Sequence, residues 1–112
     1  MRDHWDFRVL RRPNANSAYS WALPKSSFPS GDEKLLAVQT PDHSKKYMSF
    51  EGNLKNGDRV EIYDSGECDI ISDTPNRKIF NLLGKKVKGI FILIKTQSAN
   101  ENSWIILRKK SH

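Results

Sequence analysis

Three polar side chains alternate with apolar ones near the start of this 112-residue chain, in the segment His4-Trp5-Asp6-Phe7-Arg8. A period of two is typical of a β-strand, and it places His4, Asp6 and Arg8 on one face with neighbours about 6 to 7 Å apart. An imidazole and a carboxylate at this spacing can reach one metal ion, and mixed nitrogen and oxygen ligation suits Mn²⁺ or Zn²⁺ better than Ca²⁺. An adjacent Arg can bind a phosphate through two hydrogen bonds and stabilise charge that develops there. The spacing alone is more typical of a solvent-exposed strand without a site, so both interpretations stand at this point.

A second pair of candidates is His43 and Tyr47, in a segment that follows a predicted strand. The pattern predicts a turn at residues 41–44 and a short helical turn within residues 44–50. Two residues four apart in a turn of helix face the same way, and both of these side chains can donate hydrogen bonds to a phosphate oxygen. Binding residues concentrate in such loops at strand ends. The alternative is an ordinary polar turn with Tyr47 packed on the end of the fold, and the pattern alone favours that alternative.

The elements that must position these residues are short strands separated by turns. The sequence predicts eight strands, at residues 4–10, 18–23, 35–40, 60–63, 68–71, 78–83, 87–96 and 103–109. Predicted hairpins join the first two strands, the strands around Asp64-Ser65-Gly66 and the strands around Gly84-Lys85-Lys86, with loops at residues 24–34 and 52–58. This pattern predicts an all-β fold, a small closed or partly open antiparallel β-barrel with short helical turns, formed by one domain over residues 1–112.

Charge and composition narrow the class of protein. Lys and Arg number 19 against 13 Asp and Glu, and the net charge of +6 raises the odds of a polyanionic partner. Cys68 is the single cysteine, so an internal disulfide is excluded, and its apolar surroundings predict a core or half-buried thiol, not a nucleophile. No apolar run approaches the roughly 20 residues of a membrane span, and no signal peptide follows Met1. We therefore expect a cytoplasmic monomer that does not associate with membranes.

Taken together, the motifs resemble those of the 3′-phosphoesterase domain family of bacterial DNA ligase D. Residues 4–8 resemble the family's His-Tyr-Asp-Phe-Arg motif, and residues 20–25 its Ser-Trp-Ala-Val/Leu-Pro-Lys segment. Its next block is similar to residues 36–52, which hold Leu36-Ala37-Val38-Gln39, Asp42-His43, Tyr47 and Phe50-Glu51-Gly52. Tyr63-Asp64-x-Gly66 resembles Trp-Asp-x-Gly, and the C-terminal strands are similar to residues 83–89 and 104–109. The blocks follow the family order across nearly the whole chain.

The resemblance implies a small β-barrel with a crescent-shaped site on its outer surface. It implies a phosphoesterase that depends on Mn²⁺, or on another divalent transition metal, and acts on DNA 3′ ends. Such an enzyme removes 3′-terminal ribonucleotides and the 3′-phosphate, in end repair beside a DNA ligase and a polymerase. By this resemblance His4 and Asp6 correspond to metal ligands, and Arg8, His43 and Tyr47 to catalytic groups around the phosphate.

Departures from the family pattern keep other functions open. The family has a further metal-binding His six residues before the motif His, a position that precedes Met1, and Pro41 replaces an acidic residue of the family. One alternative is therefore a catalytically weakened or inactive module on the same barrel that binds nucleic acid or docks a partner. Another is an unrelated oligonucleotide-binding barrel in which Trp5 and Trp21 stack on bases. We rank it last, because alternation places Trp5 opposite the polar face.

Overall fold

The computed structural model describes residues 4–12, 15–54, 57, 59–98 and 100–110, with Tyr47 described through its backbone alone. This part of the chain forms short strands and a 3-10 helix over Lys45–Ser49. The strands are β1 (Trp5–Leu10), β2 (Ser17–Leu23), β3 (Lys34–Ser44), β4 (Gly52–Asn53), β5 (Arg59–Val60), β6 (Gly66–Asp73), β7 (Arg77–Gly84), β8 (Lys88–Lys95) and β9 (Ser103–Arg108).

Seven of these strands form one antiparallel sheet in the order β1-β2-β3-β9-β8-β7-β6, which curves into a nearly closed barrel. The two shortest strands, β4 and β5, pair with each other in a separate small sheet. This architecture confirms the predicted all-β class and the antiparallel barrel. The predicted hairpins β1–β2 and β7–β8 are also confirmed by their registers.

Alternation along the strands builds an aromatic core inside the barrel. Trp21, Phe80, Phe91 and Trp104 are almost fully buried, at 0 to 1% exposure. Phe7 of β1 stacks on Trp21 with ring centroids 5.9 Å apart, and Trp21 meets Trp104 edge to face at 5.7 Å. Aromatic rings bury large apolar areas, and these geometries add to the stabilisation that burial provides. The core therefore fixes the backbone of β1 and β2, whose other faces point outward.

A polar cluster links β2 to the β6–β7 hairpin. The Tyr19 hydroxyl donates a hydrogen bond to Asp73 at 2.8 Å, and the buried Lys78 ammonium donates to the same carboxylate at 2.6 Å. Lys78 Nζ also lies 4.3 Å from the centroid of the Tyr19 ring. Burial raises the pKa of Tyr19. Burial also acts to raise the pKa of Asp73, but the hydrogen bonds from Lys78 and Tyr19 and the charge of Lys78 outweigh it, so that the pKa of Asp73 is lowered. The charge of the buried Lys78 is thus compensated by Asp73.

The predicted hairpin of residues 60–63 with 68–71 is wrong. Val60 ends β5, and β5 pairs with β4, which lies in the segment expected to be a loop. The strand after Asp64, β6, pairs with β7 instead. Residues 61–65 instead run between the two sheets, and Asp64 is bound there by the turn that joins β7 to β8. Asp64-Ser65-Gly66 has the composition of a hairpin turn, but its conformation is determined by hydrogen bonds to residues that are distant in sequence.

The turn predicted at residues 41–44 is also wrong, because β3 continues to Ser44. The register between β2 and β3 shifts by one residue between Ala18 and Ser20, so that Pro41 and Asp42 of β3 lie opposite the single residue Tyr19 and form a bulge. Proline lacks a backbone N–H and is accepted in a strand at such a bulge. His43 consequently lies in a strand, directly opposite Ala18.

Within the described residues, no helix has the length and apolar character needed to cross a membrane.

Candidate functional site

The outward side of β1 brings His4, Asp6 and Arg8 into direct contact. The imidazole Nε2 of His4 lies 3.1 Å from Asp6 Oδ1, and the guanidinium of Arg8 lies 3.1 Å from Asp6 Oδ2. Their neighbours Phe7 and Val9 are buried in the core, and Trp5 packs against it. The predicted alternation is therefore confirmed, and one carboxylate lies between a potential metal ligand and a cation.

The strand next to β1 provides a floor of small side chains beneath this polar row. Ala22 pairs with Asp6 and Ser20 pairs with Arg8, and Ala18 and Ser20 are both 0% exposed. Because paired residues of an antiparallel ladder point to the same side, these small side chains leave room above them for the longer ones of β1. The alternation of β2 follows the same rule as that of β1, with Trp21 turned to the core.

His43 reaches the same outward surface from β3. Its partner Ala18 lies on the side of β2 that carries Ser20, and the charges of Arg8 and Asp6 both act on its imidazole. Burial lowers the pKa of His43, and the positive charge of Arg8 lowers it further, against smaller opposing effects of Asp6 and Asp42. The imidazole is therefore held neutral at neutral pH, with one N–H donor and one acceptor nitrogen.

Asp42 anchors this end of β3. Its carboxylate forms an ion pair with Arg11, which follows directly on β1. Arg11 also lies over the Tyr19 ring of β2, 4.5 Å from its centroid. The contact joins the ends of β1 and β3 across β2, next to His43.

The pair of donor atoms from His4 and Asp6 fits one divalent ion. An octahedral ion with bonds of about 2.1 Å places neighbouring ligand atoms about 3 Å apart. The observed separation of 3.1 Å between Nε2 and Oδ1 matches that spacing. Among the described residues, no group of three His, Cys, Asp or Glu side chains could hold a metal ion together. The described part of the chain thus offers two protein ligands.

Tyr47 belongs to the 3-10 helix, and its side chain lies outside the described residues. The reasoning that paired it with His43 in one helical turn is wrong, since His43 lies in β3 and the helix begins at Lys45. Its assignment to the phosphate site remains a prediction that rests on the resemblance.

Sequence reasoning missed two hydroxyls in the floor of the site. Ser20 Oγ and Thr40 Oγ1 are buried, and neither has a hydrogen-bond partner among the described residues. The two residues pair across β2 and β3, and Ser20 also pairs with Arg8. Ser20 belongs to the motif of residues 20–25, but only its burial in the folded barrel distinguishes it from an ordinary strand serine.

Asp64 is a second position whose role the sequence did not reveal. Its carboxylate accepts hydrogen bonds from the backbone N–H groups of Ser65, Lys85, Lys86 and Val87, at 2.8 to 3.2 Å. The bonds from Val87 and Lys86 contribute most to lowering the pKa of Asp64 to about 2. The adjacent Tyr63 stacks on Trp5 with ring centroids 4.4 Å apart, so this carboxylate links the start of β1 to the β7–β8 turn.

Two other sequence expectations can be checked directly. Cys68 is half-buried, and burial raises the pKa of its thiol to about 11, so the thiol is protonated at neutral pH. Trp21 is fully buried, and Trp5 packs against Phe28 and Tyr63. The two tryptophans therefore do not form an exposed platform on which bases could stack.

Comparison with known proteins agrees with this arrangement of motifs. Residues 1–95 match the family described as the DNA Ligase D 3′-phosphoesterase domain. The multifunctional non-homologous end joining protein LigD of Mycobacterium bovis is 35% identical over 118 aligned residues, which cover 98% of this chain and 15% of the relative. The proteins of the same name from Mycolicibacterium smegmatis and Pseudomonas aeruginosa are each 32% identical over 97% of this chain.

The chain spans only 14 to 16% of the length of these relatives. The family match nevertheless covers β1 to β8, including the contacts among His4, Asp6 and Arg8. The chain belongs to the DNA ligase D 3′-phosphoesterase domain family.

Proposed function

We propose that this protein is a metal-dependent phosphoesterase that acts on DNA 3′ ends, removing terminal ribonucleotides and the 3′-phosphate. The family is one of DNA end repair, which supports DNA ends as the substrate class. The observation that carries the proposal is the contact of Asp6 with both His4 and Arg8, each at 3.1 Å. A carboxylate in this position can bind a metal ion together with His4 through one oxygen and orient the phosphate-binding guanidinium of Arg8 through the other.

His4 and Asp6 would hold the ion, with Mn²⁺ as the first candidate and other divalent transition metals as alternatives. Such an ion supplies positive charge next to the phosphate oxygens and lowers the pKa of bound water. Arg8 binds two phosphate oxygens through its planar guanidinium and stabilises the charge that develops during attack at phosphorus. In the hydrolysis, water adds to phosphorus, the bond from phosphorus to the leaving oxygen breaks, and the water's proton is transferred to solvent or to that oxygen.

His43 would donate a hydrogen bond from its imidazole N–H to a phosphate oxygen. Burial and the positive charge of Arg8 lower its pKa, which favours the neutral form. Tyr47 would act beside it through its hydroxyl. In a cytoplasmic protein of this kind, a DNA ligase and a polymerase would use the repaired end. We propose no membrane partner and a monomeric state.

The alternative function is a non-catalytic module on the same barrel that binds nucleic acid or docks a partner. The observation that favours it is the small ligand set, because His4 and Asp6 are two donors among the described residues, where such sites normally have three protein ligands. This module would bind DNA through its net charge of +6, with an affinity that falls as salt rises. Its binding would not depend on Mn²⁺ or on the chemistry of the 3′ end.

The two functions can be separated with one set of substrates. Purified protein is incubated with Mn²⁺ and DNA primer–templates that end in a 3′-phosphate, a 3′-ribonucleotide or a 3′-hydroxyl. We expect release of phosphate from the first and of a ribonucleoside product from the second, with both reactions stopped by EDTA.

Asp6→Ala is the decisive variant, and Asp69→Ala on the exposed surface of β6 is its matched control. We expect Asp6→Ala to abolish turnover and weaken Mn²⁺ binding measured by calorimetry, while Asp69→Ala retains both. Failure of the wild-type protein to form product with Mn²⁺, Co²⁺, Ni²⁺ or Zn²⁺, together with salt-sensitive DNA binding, would establish the alternative. Full activity of Asp6→Ala would contradict the assigned metal site.

A further inference from the structure

The outward side of β3, β9, β8 and β7 carries a compact aliphatic surface away from the polar row of β1. Two rows of paired residues cross these four strands, Leu36–Ile105–Ile94–Arg77 and Lys34–Leu107–Ile92–Ile79. Leu36 and Ile94 are 45% and 41% exposed, and the other four aliphatic residues are half-buried. We call the six aliphatic residues of these rows the aliphatic face.

The strands beneath this face lack the alternation expected of a barrel wall that contacts water. β8 contains five apolar residues in succession, Ile90 to Ile94, and β9 contains four, Trp104 to Leu107. Antiparallel strands with one solvated face normally alternate, and continuous apolar runs are typical of strands covered on both sides. One side of β8 packs in the core through Phe91 and Leu93. The sequence therefore indicates that the other side is also covered when the protein functions.

The dimensions of the face fit one helix better than a second globular surface. Four adjacent strands span about 14 Å, and two rows lie about 7 Å apart along the strands. A helix about 10 Å wide that crosses the strands advances about 16 Å in three turns, which matches three aliphatic positions in a row. A stable dimer of folded subunits buries about 800 Å² on each partner, and this face is smaller than that.

The charges on the two rows decide the chemistry of the partner. Lys34 and Arg77 stand at opposite corners of the grid of paired residues, and neither row contains an acidic residue. The cleft beside Lys34, Leu107 and Ile92 is also lined by Asp32, Glu33, Arg108, Lys109 and Lys110, so cations outnumber carboxylates there. A second copy would bring the same cations to the face, on a protein of net charge +6. Complementary potentials favour association and like charges oppose it. The face therefore suits a surface that combines aliphatic side chains with flanking carboxylates.

We propose that the aliphatic face docks an amphipathic helix of a partner protein, with its aliphatic side chains on the two rows and carboxylates at its edges near Lys34 and Arg77. This inference does not depend on the phosphoesterase activity, because none of these residues belongs to the polar row of β1.

The test uses two synthetic helical peptides of about 14 residues, or four turns. Both carry Leu at one helical face, and the remaining positions are Glu in one peptide and Lys in the other. Binding to the ¹⁵N-labelled protein is followed by amide chemical shifts. We expect the Glu peptide to bind roughly tenfold or more tightly than the Lys peptide, with shifts confined to β3, β7, β8 and β9.

Variants locate the binding to the face. Leu36→Ser combined with Ile94→Ser removes the two most exposed aliphatic side chains and should weaken Glu-peptide binding roughly tenfold. Ile71→Ser is the matched control, since Ile71 is 54% exposed on β6 and lies outside the face, and it should leave binding unchanged. Lys34→Glu combined with Arg77→Glu should reverse the preference to the Lys peptide. Circular dichroism confirms that each variant is folded.

Several results would overturn the proposal. The first is equal binding of both peptides or binding of neither, and the second is binding that Leu36→Ser with Ile94→Ser leaves unchanged. A dimer in light scattering that this double variant dissociates would assign the face to a second copy. Sedimentation with vesicles containing phosphatidylglycerol, abolished by the same variant, would assign it to a lipid surface.

Discussion

The barrel has two outer surfaces that differ in polarity and in the arrangement of their charges. On β1 the cation Arg8 lies 3.1 Å from Asp6, which also contacts His4, and the row stands above the small residues of β2. On β7, β8, β9 and β3 the aliphatic face has cations at two corners and no acidic residue in either row. A polar row whose charges compensate one another is stable in water and open to a small ion or a phosphate. An aliphatic face with cations at two corners is suited to a macromolecular partner.

The largest expected effect that separates the two surfaces comes from Arg8→Lys. Lysine keeps the charge but loses the two parallel hydrogen bonds that a guanidinium makes to phosphate. We expect about a 100-fold loss of kcat on 3′-phosphate ends, in line with the removal of one donor that stabilises transition-state charge. The free energy of unfolding should change by about 1 kcal/mol or less, because the ion pair with Asp6 is partly exposed.

The matched control for this change is Lys34→Arg on the aliphatic face, measured by steady-state kinetics and urea unfolding. It should leave both quantities unchanged, since Lys34 lies outside the polar row. Wild-type kcat for Arg8→Lys would show that Arg8 does not contact the phosphate through both nitrogens.

The two surfaces also differ in how far the sequence predicted them. The period of two in residues 4–10 was sufficient to place His4, Asp6 and Arg8 together, because their apolar neighbours can be buried in only one direction. In β8 the period of two is missing, because residues 90–94 are all apolar, and both sides of that strand are therefore apolar. Alternation could not place His43, because the bulge at Pro41 and Asp42 shifts the register of β3, and local patterns around a proline favour a turn. Nor could it find the bonds of Asp64, which join residues more than 20 positions apart.

Asp64 links the start of β1 to the β7–β8 turn, and Asp64→Asn tests how far the polar row of β1 depends on that link. The carboxylate binds the β7–β8 turn, and the adjacent Tyr63 stacks on Trp5 of β1. An amide in its place would keep only part of this acceptor capacity. We expect faster hydrogen exchange at the backbone amides of β1, with little change in β8 and β9, measured by mass spectrometry. Equal protection of β1 in the variant and the wild type would show that the bonds of Asp64 do not stabilise β1.

The pH dependence of stability also tests the hydrogen bonds of Asp64. The pKa of Asp64 is about 2 in the folded protein, against an ordinary value of 3.8. A lowered folded pKa contributes stability that is fully present well above pH 3.8 and is lost as pH falls toward 2. The difference in melting temperature between wild type and Asp64→Asn should therefore be constant at neutral pH and shrink below pH 4. A difference that persists unchanged at pH 2 would mean that the lost bonds do not depend on ionisation.

The smallest effect is expected from Ser20→Ala in the floor of the polar row. Ser20 Oγ is buried without a hydrogen-bond partner among the described residues, so its loss of hydration is not compensated there. Removing the hydroxyl should change the free energy of unfolding by less than about 1 kcal/mol, with stabilisation as the favoured direction. Thr74→Ala is the contrasting variant, because Thr74 Oγ1 donates to the Arg77 carbonyl at 2.8 Å and accepts from the Arg77 N–H, and it should cost about 1 kcal/mol. Urea unfolding of both variants measures the difference. A loss of 2 kcal/mol or more for Ser20→Ala would show that its hydroxyl is hydrogen-bonded in solution, and the floor beneath Arg8 would then be a polar contact rather than a packing surface.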